Sequence, residues 1–310
     1  VQKLPVYIAG PTGAGKSAVA VALAEELGGE VVNADAYQLY RGLDVLTAKP
    51  TAEEMARVPH HLYSVIDPGT DFDAAKFEAL ARPCIDEIIK RDRFPIVTGG
   101  SGLYLKTLTH GLSPLPPGDP KLREELEKET LAGLADKLRE IDPVGAEQTN
   151  LLNRRYVIRA IEITLLSGCP MSEIKNEWNS AAPEFTGILI TRDRAELYER
   201  INTRVTEMWK RGILDEVSAA LADAEDGISY TAFKAIGVGE IVDHLAGKTT
   251  LEECFDLIRQ STRRFAKRQL TWFKREKGFQ SVCLSAGDSP ESAITKIRTL
   301  FPDIFQKNAS

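Results

Sequence analysis

The stretch that decides the fold is "PVYIAGPTGAGKSAVAVALAEELG", Pro5 to Gly28. Its centre, Gly10-Pro11-Thr12-Gly13-Ala14-Gly15-Lys16-Ser17, fits G-x-x-x-x-G-K-[ST]. The pattern has its required setting: a short apolar strand-like run, Pro5–Gly10, precedes it, and an Ala-rich helical run, Ser17–Gly28, follows. Glycines let the backbone curl until successive N–H groups converge on phosphate oxygens, and the helix N-terminus adds partial positive charge there. Lys16 supplies a full charge, and the Ser17 hydroxyl suits Mg2+. The motif specifies phosphate and is silent on which phosphorylated compound.

Outward from this centre, Glu30–Asp35, His61–Asp67 and Phe94–Gly100 read as further strands, the later ones separated by helical patterns. Strands alternating with helices predict an α/β fold with a parallel sheet covered on both faces. Ligands of such sheets gather at the carboxyl ends of the strands, where Gly10, Asp35, Asp67, Gly99 and Gly100 fall. After Gly111–Pro120 the pattern is helical to about Ser180, a strand returns at Phe185–Asp193, and long helices follow. A short strand, "SVCLSA", and a final helix near "ESAITKIRTLF" close the chain. The expected architecture is a P-loop core, residues 1–118 and 183–310, with an all-helical insertion at 119–182.

The 310 residues exceed what one compact core usually needs, and a net charge of −6 gives no global nucleic-acid signature. A local signature is still possible, because phosphate backbones are bound by clustered Lys and Arg. Cys84, Cys169, Cys254 and Cys283 form no CxxC pair and read as reduced core thiols; His60, His61, His110 and His244 lack metal spacing and read as structural. No apolar run reaches membrane-span length and the first residues lack signal-peptide character, so a cytoplasmic protein is expected.

Two segments carry chemistry beyond the cradle. Asp35 ends the second strand, where its carboxylate faces the phosphate edge and can accept a proton from an attacking nucleophile. The other segment, "RQSTRRFAKRQLTWFKREK" at 259–277, is basic in an acidic protein. On a helix Leu251, Phe255, Ile258, Phe265 and Trp272 form one stripe. Arg263, Lys267 and Lys274 point away from it, and Arg264, Arg268 and Arg275 run along a flank, so the helix is expected to bind a phosphate backbone. Asp67 could serve as the Mg2+-holding aspartate of a phosphoryl-transfer enzyme, which leaves a small-molecule kinase open at this point.

The blocks "GPTGAGKS", "NADAYQLYRGLDVLTAKP", "GGSGLYLKTLTHGLSPLP", "RRYVIRAIEI", "YERINTRVTEMWKRGILDEV", "KAIGVGEI" and "STRRFAKRQLTWFKRE" occur in the order seen in tRNA dimethylallyltransferases, which the chain resembles from Val6 to Lys277. The resemblance implies transfer of a dimethylallyl group from dimethylallyl diphosphate to N6 of adenosine 37 in tRNA. Gly10 to Ser17 would then hold the diphosphate, with Mg2+ on Ser17 as cofactor. Lys16, Ser17 and Arg204 would stabilise the leaving group, and Asp35 would act as base. The tRNA anticodon stem-loop would contact Asp35, Ala36, Tyr37, Gln38, Ser101, Arg123, Arg154, Arg155, Arg159, Arg263, Arg264, Lys267 and Arg268. A monomer is expected.

The chain departs from the family pattern at Ala36-Tyr37, at Leu46 where Gly is usual and at Val238 where Tyr is common. A prenyltransferase of free adenine nucleotides is an alternative, disfavoured because a free nucleotide needs neither the basic helix nor the insertion. A non-catalytic RNA-binding NTPase is another; the base at Asp35 and the weak Mg2+-aspartate signal count against it.

Overall fold

The computed structural model describes residues 3–112, 115–180, 185–223 and 227–306, with backbone alone for 176–180. Ser113 and Pro114 of the Gly111–Pro120 stretch, and the expected boundary at 182–183, lie outside them.

Six strands, β1 (Val6–Ala9), β2 (Glu30–Asn33), β3 (His60–His61), β4 (Pro95–Gly99), β5 (Thr186–Arg192) and β6 (Phe279–Leu284), form one sheet in the order β3-β2-β4-β1-β5-β6. Every pairing is parallel. Side chains alternate along a strand, so a sheet covered on both faces needs continuous apolar runs. Val6, Ile8, Val31, Ile96, Ile188 and Ile190 enter one core, whereas Tyr7, Ala9, Val32, Val97 and Leu189 enter the other.

The helix Lys16–Leu27 is buried at every position from Val19 to Ala24, because the sheet lies on one side and the helix Pro290–Leu300 on the other. Its small alanines allow that close approach. Beyond Ala24, Glu25 and Glu26 are exposed and pair with Arg57 and Arg298.

The strand expected at His61–Asp67 is confined to His60–His61. Leu62 and Ser64 adopt positive φ, 63° and 53°, which no strand accommodates. Asp67 then caps a turn, its Oδ1 accepting the Gly69 N–H at 2.8 Å.

The chain divides into two compact units, Val1–Leu108 with Glu184–Ser310, and Thr109–Pro183. The smaller unit is helical among its described residues and has its own core, with Leu126, Leu134, Leu138, Val157 and Ile161 all nearly inaccessible. Asp142 anchors it: the carboxylate accepts the Gly145 N–H at 2.8 Å and the Ser172 hydroxyl at 2.7 Å. Among the described residues no helix is long and apolar enough to cross a membrane.

Candidate active site

The site forms where β1 separates β4 from β5, at the carboxyl edge of the sheet. Gly13 and Gly15 take φ of 82° and 98°, left-handed values that turn the loop after β1 around its own amides. Lys16 lies back across the turn, with Nζ donating to the Pro11 carbonyl at 3.0 Å.

Three arginines brace the loop from β5 and the helix Arg194–Lys210. Arg192 Nε donates to the Ala14 carbonyl and Arg200 Nε to the Gly13 carbonyl, both at 2.9 Å. Arg204 Nη1 reaches the Thr12 hydroxyl at 2.9 Å. Arg200 and Arg204 are one helical turn apart, so both face the cradle.

A cavity of about 520 Å³ opens over the loop, lined among others by Lys16, Ser17, Asp35, Glu54, Arg200 and Arg204. Burial lowers the Lys16 pKa, the Asp35 charge opposes that and Arg204 adds to it, leaving it at about 8. Burial likewise depresses the Arg204 guanidinium, against the attraction of Asp35. Such an arrangement attracts an anion able to neutralise the enclosed cations.

Asp35 stands two residues past β2. Asn33, inaccessible to solvent, accepts the Asp35 N–H at 2.9 Å and donates to the Asp35 carbonyl at 3.2 Å and the Leu62 carbonyl at 2.9 Å. Asp35 Oδ1 accepts the Tyr37 N–H at 3.1 Å. Ser101 accepts the Ala36 N–H at 2.9 Å, and Gln38 donates to the Thr47 and Ala48 carbonyls. Asp35, Ala36 and Tyr37 are thus tied by hydrogen bonds to each other and to the distant Ser101, whereas the Gln38 side chain is held by the Thr47 and Ala48 carbonyls.

A second, smaller cavity of about 70 Å³ shares Thr12, Asp35, Thr47 and Arg204 with the first, but its other walls are largely apolar: Leu46, Val205, Met208, Ile236, Ile258 and Phe265. The Leu46 side chain packs where a Cβ on Gly237 would come within 2.5 Å of it. Burial, and then the Asp35 charge, pushes the Tyr37 phenol up to about 12, so this neighbour stays neutral.

The helix Leu251–Phe273 buries Cys254, Phe255, Ile258, Ala266, Gln269 and Phe273, not the expected stripe as a whole. Leu251 and Trp272 are 36% and 40% exposed. The cause is periodicity: Leu251, Ile258, Phe265 and Trp272 repeat every seven residues, and such a series drifts by about 20° per step around a straight helix. Arg264, Lys267 and Arg268 are exposed as expected. Arg263 instead turns inward, donating to Asn202 Oδ1 at 2.8 Å.

In the smaller unit three of the four expected arginines have internal partners. Arg123 and Arg159 both bond the carboxylate of fully buried Glu162, each at 2.7 Å. Arg154 caps carbonyls at the end of the helix Pro120–Glu127 and in the turn after it, including Glu129 at 2.6 Å. Arg155 is exposed and makes no side-chain hydrogen bond among the described residues.

Sequence reasoning missed several residues. Arg200 was legible as the partner of Arg204 at i, i+4, whereas Arg192 and Glu54 carried no signal. Lys234, beside Phe233, Arg264 and Arg268, lines a groove of about 280 Å³. Gln269, 5% exposed, reaches both the Thr12 amide and the Gly100 carbonyl.

A parallel sheet with a phosphate-cradling loop between its central strand and an adjoining helix defines a P-loop protein. The comparisons narrow this class. A family model described as "IPP transferase" matches residues 38–276. The tRNA dimethylallyltransferase of Geobacter sulfurreducens is 45% identical over 285 residues, covering 89% of this chain and 91% of that one. That of Akkermansia muciniphila is 42% identical, covering 95% and 98%. The solved tRNA isopentenylpyrophosphate transferase of Bacillus halodurans superposes with a TM-score of 0.72 at 39% identity, covering 99% and 98%. A eukaryotic dimethylallyltransferase acting on tRNA gives a TM-score of 0.82 at 26% identity, over 99% of this chain and 80% of that one. The chain belongs to the IPP transferase family.

Proposed function

We propose that this protein transfers a dimethylallyl group from dimethylallyl diphosphate to N6 of adenosine 37 in tRNA, releasing diphosphate. The observation that carries this reading is the pair of joined cavities, one cationic and built on the P-loop, the other mostly apolar, with Asp35 and Arg204 lining both. A prenyl diphosphate has the matching polarity: a charged head for the cradle and a short apolar tail.

The chemistry follows from the residues. The loop amides, Lys16, Arg200 and Arg204 hold the diphosphate and stabilise the charge that grows as the carbon–oxygen bond breaks. The adenine amine is a weak nucleophile because its lone pair is delocalised into the ring. Asp35, fixed by Asn33 and the Tyr37 amide, accepts the N6 proton as the nitrogen–carbon bond forms. The leaving diphosphate retains the bonding electron pair.

Ser17 is the residue that would hold Mg2+. It lines the cradle cavity and its hydroxyl makes no hydrogen bond among the described residues. Those residues also contain no cluster of three or more His, Cys, Asp or Glu suited to a metal, consistent with an ion that takes most of its ligands from phosphate and water. Bound Mg2+ would supply further charge neutralisation for the departing diphosphate.

RNA binding is assigned to the exposed Arg264, Lys267 and Arg268, with the adjoining groove lined by the exposed Phe233 ring and by Lys234, whose ammonium lies over the Tyr230 ring. Cations for phosphates and rings for unstacked bases are what a single-stranded loop requires. Arg155 is the corresponding contact proposed for the smaller unit. The kinase alternative loses support, since Asp67 is not among the residues lining the cavity.

The test is incubation with labelled dimethylallyl diphosphate, Mg2+ and unmodified tRNA, followed by digestion and detection of N6-prenyladenosine. Asp35→Ala should reduce turnover by at least about 100-fold, the scale of a lost general base, and leave diphosphate affinity within a few-fold. Prenylation of free AMP but not of tRNA would overturn the proposal.

A further inference from the structure

Gln269 lies on the helix whose outer face carries Arg264, Lys267 and Arg268, yet its own side chain is buried at 5% exposure. Both ends of its amide are used. Oε1 accepts the Thr12 N–H at 2.8 Å, and Nε2 donates to the Gly100 carbonyl at 2.9 Å. The two partners fix the orientation of the amide, because the Thr12 backbone N–H can only donate and the Gly100 carbonyl can only accept. The fit is tight: a Cβ on Gly100 would lie 2.1 Å from Nε2.

These contacts join the two halves of the chemistry. Thr12 belongs to the phosphate loop, and its hydroxyl receives Arg204 at 2.9 Å. Gly100 precedes Ser101, whose hydroxyl holds the amide of Ala36, next to Asp35, at 2.9 Å. A single side chain therefore spans from the leaving-group cradle to the strand end that seats the base. It is mounted on the helix proposed to meet the RNA.

We propose that Gln269 is a positioning residue that couples RNA bound on the outer face of this helix to the geometry of the phosphate cradle. A small displacement of the helix moves the acceptor of Thr12 N–H, and with it the loop, relative to Asp35. RNA and diphosphate then favour the same arrangement, and each raises affinity for the other by the same factor. The inference rests on the reading of the helix as an RNA-binding face.

The experiment measures inorganic pyrophosphate binding with Mg2+ by calorimetry, with and without an unmodified anticodon stem-loop RNA, alongside kcat and KM. In the unaltered protein the stem-loop should tighten pyrophosphate about 5- to 50-fold, a usual coupling range. Gln269→Met, of similar length but without either hydrogen bond, should bring that ratio to near one. It should lower kcat about 10-fold or more and change stem-loop affinity less than about threefold. Gln269→Glu, which keeps the acceptor for Thr12 but loses the donor to Gly100, gives a second reading if the Met variant does not fold, and should also weaken the coupling.

A variant that melts at lower temperature but keeps the ratio and kcat would reduce Gln269 to a packing residue and overturn the proposal. Unaltered protein that binds the stem-loop without tightening pyrophosphate would overturn the coupling alone. Unaltered protein that binds no stem-loop would overturn the RNA reading and the coupling with it.

Discussion

Lys16 illustrates how position, rather than residue type, sets chemistry. Its place in the motif was readable, but the pKa of about 8 arises from burial beside Arg204, partly offset by Asp35. In free enzyme the ammonium is lost as pH rises through that value, so kcat/KM for the diphosphate donor should fall along a single limb above about pH 8. Lys16→Arg should remove that limb, and a pH–rate series on both proteins checks it. The sign for stability is the reverse. A depressed lysine pKa penalises the fold most below about 8, and the penalty fades as pH approaches the ordinary 10.5. Asp35 is legible because it closely follows a strand at the ligand edge. Gln269 is not, since one glutamine among arginines and lysines looks like surface.

At the scale of the element, the helix Leu251–Phe273 separates what pattern reveals from what packing decides. Its amphipathic character and its basic side are visible in the sequence, while the structure adds the reciprocal cap of Thr250 and Glu253 at its start. The buried face was misplaced at its ends by the drift of a seven-residue repeat. Pattern alone places Arg263 outside, because no local rule announces its partner Asn202. Replacing Arg264 and Arg268 together by alanine should raise KM for tRNA about tenfold and reduce the salt-dependence slope of binding by about 1.5. Titrating tRNA binding from low to moderate salt is the measurement. A fall in kcat at saturating tRNA with an unchanged slope would contradict the assignment. The short β3 teaches a related lesson: "HLYSVID" has strand composition, but positive φ at Leu62 and Ser64 ends the strand, and Asp67 is spent on a turn.

At the scale of the whole molecule, the helical unit Thr109–Pro183 has its own polar anchor in Glu162. Burial pulls this carboxyl upward, but hydrogen bonds from Arg159, Arg123 and the Asp119 amide outweigh it and hold its pKa below the usual glutamate value. Its contribution to stability is therefore present above the ordinary glutamate range and lost as pH falls through the depressed value. Glu162→Gln should cost about 2 kcal/mol in denaturant unfolding of this unit and flatten its acid limb. Arg123, Arg154 and Arg159, expected to contact tRNA, have partners within the unit that no local pattern announces. By itself, the sequence determined the parallel α/β class, the glycine-rich loop after β1 and the placing of the Asp35 carboxylate at the sheet edge just past β2. These depend on short-range rules: strand and helix periods, glycine at positive φ and the charge at a helix N-terminus. Only the tertiary structure decided which arginines brace the loop, which carboxylates share its cavity and which glutamine bridges Thr12 and Gly100. Those relations join residues as far apart as Thr12 and Gln269, through side-chain contacts that no local pattern encodes.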